Sequence, residues 1–276
     1  MIAAMCLLSL MAGELPGWDM LGLILFTAFL WVMRDRIAFL DFSPFLLMLF
    51  TYEVIRSVIL AVGTGGVHVA DLILWEKTLC AGIIPSSVLQ QTFGARMYTG
   101  LLDFVTNAFY MTHFFSVILM GIILWIKRKA HYWAFIMGLI VLSYAAFLTY
   151  VVFPAAPPWW ASMNGYLRGQ PVDLDHSLLS PEYIFATANP LGAMPSVHTA
   201  WPVYLFFYSL YIWGRKALPV VILPAGVAIS SIYLGHHYLV DVLGGIGYAT
   251  LAFVFATQWG KIYLKIREPA KSLATV

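Results

Sequence analysis

The chain has little charge and little cysteine. Only 10% of its residues are Asp, Glu, Lys or Arg, against about 25% in soluble domains, which excludes a water-soluble globular domain. Its two cysteines, Cys6 and Cys80, form neither a disulfide framework nor a metal-binding spacing. The net charge is only +2 and no basic patch is present, so a nucleic-acid partner is not expected.

Long apolar segments fill most of the chain instead. Hydrophobic residues make up 62% of it, and the mean hydropathy is +0.86. A membrane-spanning helix needs about 20 apolar residues, and suitable segments run approximately over 17–33, 40–63, 104–126, 131–153, 194–213, 217–235 and 238–262. The sequence therefore predicts an all-α fold, a polytopic transmembrane helical bundle of about six to seven spans. Residues 1–39 would form an N-terminal segment and the first span.

The basic residues predict how this integral membrane, multi-pass bundle is oriented. If seven helices alternate, eleven of the fifteen Lys and Arg residues fall on one side, which is the cytoplasmic side by the positive-inside rule. The N-terminus is then outside and the C-terminus inside. The segments that begin near 195 and 236 accordingly start on the extracytoplasmic or lumenal face.

Two short stretches place ionisable residues at the mouths of apolar segments on that face. They are Pro195-Ser196-Val197-His198 and the stretch 235–241, which contains His236, His237 and Asp241. A His or Asp at the edge of hydrocarbon is costly unless it is paired or faces a wet cavity, so its presence indicates a functional site.

The residue types in these stretches suit phosphoryl transfer. In a helix that starts near His236, His237 and Asp241 are four residues apart and can hydrogen-bond. The carboxylate would fix the imidazole tautomer and leave the other ring nitrogen free to attack. A helix start at Pro195 and Ser196, with its amide groups facing outward, is a ready anion site. His198 could then protonate a departing oxygen as general acid.

The two stretches resemble the second and third signature motifs of the type 2 phosphatidic acid phosphatase superfamily. The resemblance implies a six-helix core made of the last six spans, so that 40–276 would be a phosphatidic acid phosphatase type 2-like membrane catalytic domain. It also implies a phosphohistidine enzyme in which His237 is the nucleophile, Asp241 its partner and His198 the acid. Such an enzyme requires no cofactor and no metal ion.

The first signature motif lacks its cations here. The family usually carries a Lys and an Arg just after the third core helix, whereas the corresponding Phe-Pro-x-x-Pro-Pro stretch contains neither. A phosphoryl transition state needs donors for its equatorial oxygens. Arg56 and Arg168 are the predicted replacements, ahead of Lys77 and Arg96, although a structural ion pair between Glu53 and Arg56 is an alternative for the former.

Further polar residues are predicted to line the substrate cavity. Asp103, Thr106, Tyr110 and His113 recur at three- and four-residue spacing and form one polar stripe on a helix. That stripe could receive a polar head group, or it could join helices by hydrogen bonds. His236 is predicted to cap a helix or to support the site indirectly. The predicted substrate-binding residues are Ser196, Arg168, Arg56, His113, Tyr110, Asp103 and His236.

The Phe-Pro-x-x-Pro-Pro element at 153–158 and the paired histidines are similar to the inositol phosphorylceramide synthase branch of the superfamily. That branch passes a phosphorylated head group to a lipid hydroxyl, which implies an inositolphosphotransferase-like enzyme with a phospholipid or lipid phosphate as substrate. A lipid phosphate phosphatase, with water as acceptor, is the alternative. The connection from Pro154 to about Ala193 is predicted to be a lid over the site.

Two alternatives lie outside this chemistry. A proton-coupled membrane transporter could use buried Asp and His residues as a relay, and its activity would need a gradient. A metal-dependent hydrolase could use His198, His237 and Asp241 as ligands, and chelation would abolish its activity. Either enzyme of the phosphohistidine type should instead work in detergent with a chelator present.

Overall fold

The computed structural model describes residues 28, 37, 39–49, 51, 66–94, 99–174, 176 and 191–273. Almost all of the predicted first span and the residues Glu53, Arg56 and Arg96 lie outside this part of the chain. Within it the secondary structure is helical, apart from turns and two isolated β-bridges. The helices are α1 Phe39–Leu49, α2 Ala70–Leu79, α3 Pro85–Phe93, α4 Thr99–Lys127, α5 Lys129–Val152, α6 Pro158–Met163, α7 Val197–Trp213, α8 Ile222–Tyr233 and α9 Leu239–Leu273.

Four helical stretches of the described chain are long and apolar enough to cross a membrane. They are Gly100–Lys127, Lys129–Val152, Val197–Tyr233 and Leu239–Tyr263. The third contains two of the predicted spans, because α7 and α8 are joined by a 3₁₀ helix, Gly214–Val221, and fold back on each other. Together with the shorter apolar helix α1, these stretches confirm the predicted all-α transmembrane bundle.

The turn between α7 and α8 has a local cause. Gly214 follows the last residue of α7 with a φ of +58°, a conformation that side-chain-bearing residues rarely adopt. Pro219 then lies within the 3₁₀ helix and supplies no amide hydrogen for an α-helical continuation. The chain therefore reverses here and returns to the end of the bundle where α7 began.

The core of the bundle is aromatic, and its polar atoms are hydrogen-bonded between helices. Tyr204 of α7 donates its hydroxyl to the carbonyl of Phe135 on α5 at 2.8 Å, and the Trp201 indole donates to Ser143 Oγ at 3.0 Å. All four side chains are buried. Since a bilayer offers no water to unpaired polar atoms, these bonds let large aromatic side chains fill the core.

Short helices and loops cover one end of the bundle. Residues of α2 and the 153–174 connection form a second apolar cluster, in which Leu72 and Ile84 pack with Ala156, Val172 and the loop residue Tyr238. Two main-chain bridges, His68 with Ala155 and Ala155 with Gly192, tie three distant segments together. The described part of the predicted lid is thus packed against the bundle end where α7 and α9 begin.

The opposite end carries most of the described basic residues. There Lys129 Nζ lies 2.9 Å from Asp41 Oδ2, which also accepts a hydrogen bond of 2.6 Å from the indole of Trp125. Tyr132 donates its hydroxyl to the Asp41 carbonyl at 2.8 Å. These contacts join α1, α4 and α5 at that end.

Candidate active site

The two predicted catalytic histidines are in direct contact. His198 lies in the first turn of α7, and His237 lies in the loop between α8 and α9. His198 Nδ1 is 2.9 Å from His237 Nε2, although 39 residues separate them in sequence. The folding back of α8 onto α7 brings them together, because it returns the chain to the same end of the bundle.

The hydrogen bonds of this pair determine which nitrogens carry protons. His237 Nδ1 lies 2.9 Å from the carbonyl oxygen of Ala193, and a carbonyl can only accept, so Nδ1 carries the hydrogen. The neutral ring then has a lone pair on Nε2, which accepts from His198 Nδ1. His198 Nε2 in turn accepts from the Tyr110 hydroxyl at 2.8 Å. His237 Nε2, the predicted nucleophile, is therefore unprotonated and faces His198, the predicted acid.

Asp241 does not orient His237 as predicted. Its Oδ2 lies 3.7 Å from His237 Nδ1, beyond hydrogen-bond distance, and accepts from the Tyr238 amide at 2.8 Å instead. The reason is that α9 begins at Leu239 and not near His236, so the helical i to i+4 geometry does not apply to His237. At the start of α9, Asp241 therefore makes one half of a capping box, since its carboxylate accepts from the N-cap amide of Tyr238, and among the described residues its Oδ1 has no hydrogen-bond partner.

The start of α7 also differs from the prediction. Ser196 is the N-cap, and its buried hydroxyl accepts from the Thr199 amide at 3.2 Å. Its own amide, predicted to face an anion, donates to the Asp241 carbonyl at 3.0 Å. Pro195 precedes the cap and is not in the first turn. The Ser196 amide therefore joins α7 to α9, and the first-turn amides of α7 begin with Val197.

The Phe-Pro-x-x-Pro-Pro element builds the support of His237 with main-chain atoms. Ala155 donates its amide to Leu191 at 2.9 Å and accepts from the Ala193 amide at 3.0 Å, which holds the Ala193 carbonyl that orients the ring. Trp159, just after this element, donates its amide to Gly235 at 3.1 Å. The stretch that lacks the family's cations thus positions both the Ala193 carbonyl and the loop that carries His237.

Part of the predicted polar stripe on α4 reaches the histidine pair. The Tyr110 ring stacks on His198 and on His236, with centroids 4.6 and 4.9 Å apart. His113 presents its edge to His198 at 4.4 Å between centroids, and its Nδ1 donates to the Tyr110 carbonyl at 2.6 Å. Four histidine rings and one tyrosine therefore form one connected cluster of ring contacts.

The N-terminal part of the stripe, Asp103 and Thr106, makes other contacts. Asp103 Oδ1 accepts from the Tyr233 hydroxyl at 2.7 Å and lies 3.1 Å from His176 Nδ1. Thr106 donates to carbonyls of its own helix, as it would with no substrate role. Asp103 thus joins α4 to α8 and to the 154–193 connection, and it does not contact the histidine pair.

The predicted cation replacements are not seen beside the pair. Arg168 is exposed in the loop after α6, and Arg56 lies outside the described residues. No described Lys or Arg is hydrogen-bonded or ion-paired with the four histidines. In the described part of the site, the donors that could meet phosphate charge are imidazole N–H groups, the Tyr110 hydroxyl and first-turn amides of α7.

Burial sets the ionisation of the catalytic loop. It lowers the pKa of His237 to about 4 and, together with the neighbouring His237, lowers the pKa of His236 to about 3. His237 is only 3% exposed, so there is little water to stabilise its charged form. The ring is therefore neutral at pH values where an exposed histidine would already be protonated.

Two contributors to the site carry little sequence signal. The Ala193 carbonyl is a main-chain atom that any residue could supply. Glu76 lies on α2, and its carboxylate accepts hydrogen bonds from the main-chain amides of Leu239 and Val240 at the start of α9. For Glu76 the one hint in the sequence is an acidic residue within a mainly apolar helical segment.

Comparison with known proteins assigns the family. A model of the PAP2 superfamily matches residues 70–255, which is more than half of the chain and includes both motifs. The chain is 30% identical to phosphoinositol dihydroceramide synthase of Bacteroides thetaiotaomicron over 68% of this chain and 67% of that one.

Fungal relatives are similar over shorter regions. The chain is 29% identical to the catalytic subunit of inositol phosphorylceramide synthase of Schizosaccharomyces pombe, over 40% of this chain and 29% of the relative. It is 27% identical to the inositol phosphorylceramide synthase of Candida albicans, over 58% and 37% respectively. No solved structure matches the chain. The predicted resemblance is confirmed: this chain belongs to the PAP2 superfamily, and its relatives include inositol phosphorylceramide synthases.

Proposed function

We propose that this membrane enzyme moves a phosphorylated head group from a phospholipid to the hydroxyl of a second lipid, through a phosphohistidine on His237. The observation that carries the proposal is the 2.9 Å contact between His198 Nδ1 and the unprotonated Nε2 of His237. A nucleophile with a base or acid within hydrogen-bond reach, and with its ring oriented by a third group, is the arrangement of covalent catalysis. The similarity to inositol phosphorylceramide synthases supports transfer to a lipid hydroxyl.

The first half-reaction breaks the ester bond between phosphorus and the donor's glycerol oxygen. The phosphate enters between the two rings and replaces their mutual hydrogen bond. His237 Nε2 then attacks phosphorus, and His198, protonated beside the bound anion, gives its Nδ1 proton to the departing diacylglycerol oxygen. His198 keeps its Nε2 proton, which the Tyr110 oxygen accepts, because a hydroxyl can reverse its hydrogen-bond role.

The second half-reaction uses the same groups in reverse. Neutral His198 takes the proton of the acceptor hydroxyl, the acceptor oxygen attacks phosphorus, and the bond between phosphorus and Nε2 breaks. Asp241, 3.7 Å from His237 Nδ1, is proposed to stabilise the positive charge that the phosphorylated ring carries between these steps. Arg56 and Arg168 remain the proposed cationic donors to the phosphate, alongside Tyr110, His113 and His236.

We place this chemistry at the extracytoplasmic or lumenal face. The catalytic end of the bundle is opposite to the end with Arg128, Lys129, Arg215, Lys216 and Lys261, and such basic ends face the cytoplasm. A cysteine introduced for exposed Tyr166 in a cysteine-free background should react with a membrane-impermeant reagent on sealed cells. A cysteine introduced for Lys216 should react only after permeabilisation, and the reverse pattern would contradict this orientation.

The test of function is lipid turnover by purified protein in detergent with EDTA present. The donor would be phosphatidylinositol, with and without ceramide or diacylglycerol, and phosphatidic acid and an isoprenyl phosphate would be tested in parallel. A new inositol phospholipid, lost in His237→Ala, is the expected result. Free phosphate from a lipid phosphate would identify a phosphatase instead. Full activity of His237→Ala would contradict the phosphohistidine, and loss of activity only with EDTA would favour a metal-dependent hydrolase.

A further inference from the structure

Glu76 connects a peripheral helix to the start of the catalytic helix α9. The side chain is completely buried. Its Oε1 accepts from the Leu239 amide at 2.9 Å and its Oε2 accepts from the Val240 amide at 3.1 Å. The two partners are 163 and 164 residues away along the chain, so this contact exists only in the folded protein.

These two bonds complete a fully hydrogen-bonded loop. The amides of His236 and His237 donate to the Ser231 carbonyl at 3.0 and 3.1 Å, and the Tyr238 amide donates to Asp241. The next two amides are those that Glu76 accepts. All five successive main-chain donors from 236 to 240 are therefore occupied, and only Glu76 reaches them from outside residues 231–241.

The position of Glu76 is costly for a carboxylate. Burial raises its pKa, while the two amide hydrogen bonds favour the charged form. A buried charge is tolerated when several hydrogen bonds and a helix N-terminus stabilise it. The start of α9 supplies both, because its first amides point along the positive end of the helix dipole.

The contact between Glu76 and α9 also affects which helix N-terminus is open to the phosphate of a substrate. Two long helices, α7 and α9, begin beside the histidine pair. Glu76 already occupies the first amides of α9, so a phosphate cannot bind there without displacing a buried carboxylate. The start of α7 holds no acidic side chain in its first turn, and His198 lies within that turn.

We propose that Glu76 is a positioning residue, which clamps the start of α9 so that His237 Nε2 faces His198 and the transferred phosphate is directed to α7. This inference depends on the proposed function, since it assigns Glu76 an effect on the His237 step. Glu76 does not touch the reacting atoms. It acts by holding the loop that carries the nucleophile.

The test compares Glu76→Gln with Asp173→Asn in the turnover assay. Both replace an acid by its amide, but Asp173 is exposed and its main-chain bonds to Gln90 do not involve the carboxylate. In Glu76→Gln an NH₂ group faces one of the two amides, so one charged hydrogen bond is lost and kcat should fall about tenfold or more. KM for the lipid donor should change less than about threefold, because loop position affects the chemical step more than ground-state binding. Asp173→Asn should match the wild type.

A milder variant and a stability measurement separate positioning from folding. Glu76→Asp keeps the charge on a shorter side chain and should recover part of the lost kcat. Thermal unfolding of each variant gives the folded fraction, and kcat is expressed per folded molecule. Wild-type kcat per folded molecule in Glu76→Gln, or an effect confined to KM, would overturn the inference. Activity in His237→Ala would overturn the proposed function itself, whereas inactive His237→Ala with fully active Glu76→Gln would remove only the role of Glu76.

Discussion

The two ends of this bundle use polar groups in opposite ways. At the basic end, Lys129 forms an ion pair with Asp41, and their side chains are 46% and 15% exposed. At the catalytic end, His237 is 3% and Asp241 0% exposed, and the histidine pair is held by directed hydrogen bonds to Tyr110 and to the Ala193 carbonyl. An ion pair in which one partner is open to solvent contributes little to stability, whereas a buried polar group is costly when it is left unpaired. Substitutions at the catalytic end should therefore reduce stability and activity much more than substitutions at the basic end.

The two ends also differ in what they are proposed to do: one sets the orientation of the chain in the membrane, and the other carries out the reaction. Basic residues at one end are proposed to set the orientation of the chain in the membrane, an effect that depends on their number more than on their individual geometry. Histidines at the other end are proposed to carry the chemistry, and there the tautomer of His237 follows from its hydrogen bond to the Ala193 carbonyl. The number of charges is what matters at the basic end, whereas the distances between particular atoms matter at the catalytic end.

Removing the nucleophile should give the largest contrast between the ends. His237→Ala is expected to reduce lipid turnover at least about a thousandfold, the scale on which loss of a catalytic nucleophile acts. Lys216→Ala, at the basic end, should leave turnover unchanged. Both are measured as product formed per folded molecule in detergent. A His237→Ala enzyme with more than a tenth of wild-type activity would mean that the ends do not differ as proposed.

Close packing of α9 against α7 should be the next most sensitive feature. A Cβ at Gly245 would clash with the main-chain carbonyl of Ser196, whereas a Cβ at Gly247 meets nothing within 4 Å. Gly245→Ala should therefore destabilise the protein by about 1–3 kcal/mol, as overpacking does, and lower activity by displacing the α7 cap.

Gly247→Ala is the matched control on the same helix. It should keep activity and raise stability slightly, since alanine favours a helix more than glycine does. Thermal unfolding in one detergent compares the two variants. Equal stability of both would contradict the close contact between α9 and Ser196.

The hydroxyl of Tyr110 should affect the rate by an intermediate amount. Tyr110→Phe removes the 2.8 Å hydrogen bond to His198 Nε2, and one such bond corresponds to about tenfold in kcat. KM should change little because the ring and its stacking remain. Tyr211→Phe, at the basic end, provides the control and should behave as the wild type. A Tyr110→Phe effect on KM alone would assign Tyr110 to binding and not to His198.

Acid should weaken the catalytic end before it affects the basic end. The pKa of His237 in the folded protein is about 4, below the value of about 6.5 for an exposed histidine. As the pH falls below about 6.5 the unfolded chain binds a proton that the folded chain does not, so stability is lost between these two values. The unfolding temperature should therefore drop from about pH 7 to about pH 5 in the wild type, and less in His237→Asn. The same decline in both proteins would contradict a buried neutral His237.

The smallest effect is expected from the ion pair at the basic end. Lys129→Met removes the contact with Asp41, and stability should change by no more than about 1 kcal/mol. Added salt should weaken the wild type by a similarly small amount, because it screens exposed charges. Unfolding temperatures with and without salt measure both. A loss as large as that of Gly245→Ala would show that the two ends are equally sensitive.

The sequence by itself determined that the chain lies in a membrane, that it folds into helices, and which histidines belong to the candidate site. Apolar segments of membrane length predicted the bundle, and His198 and His237 stood out because such residues are rare at the edge of hydrocarbon. Periodicity also identified Tyr110 and His113, since residues three apart share one helix face.

Only the tertiary structure decided how those side chains are held. Asp241 was predicted to hydrogen-bond to His237, but α9 begins two residues after His237, so the carboxylate caps Tyr238 instead. The group that orients His237 is the carbonyl of Ala193, held by pairing with Ala155. Glu76 reaches α9 from a helix 163 residues away. Main-chain partners and long-range contacts leave no pattern in the order of residues, because they depend on which segments the folded chain brings together.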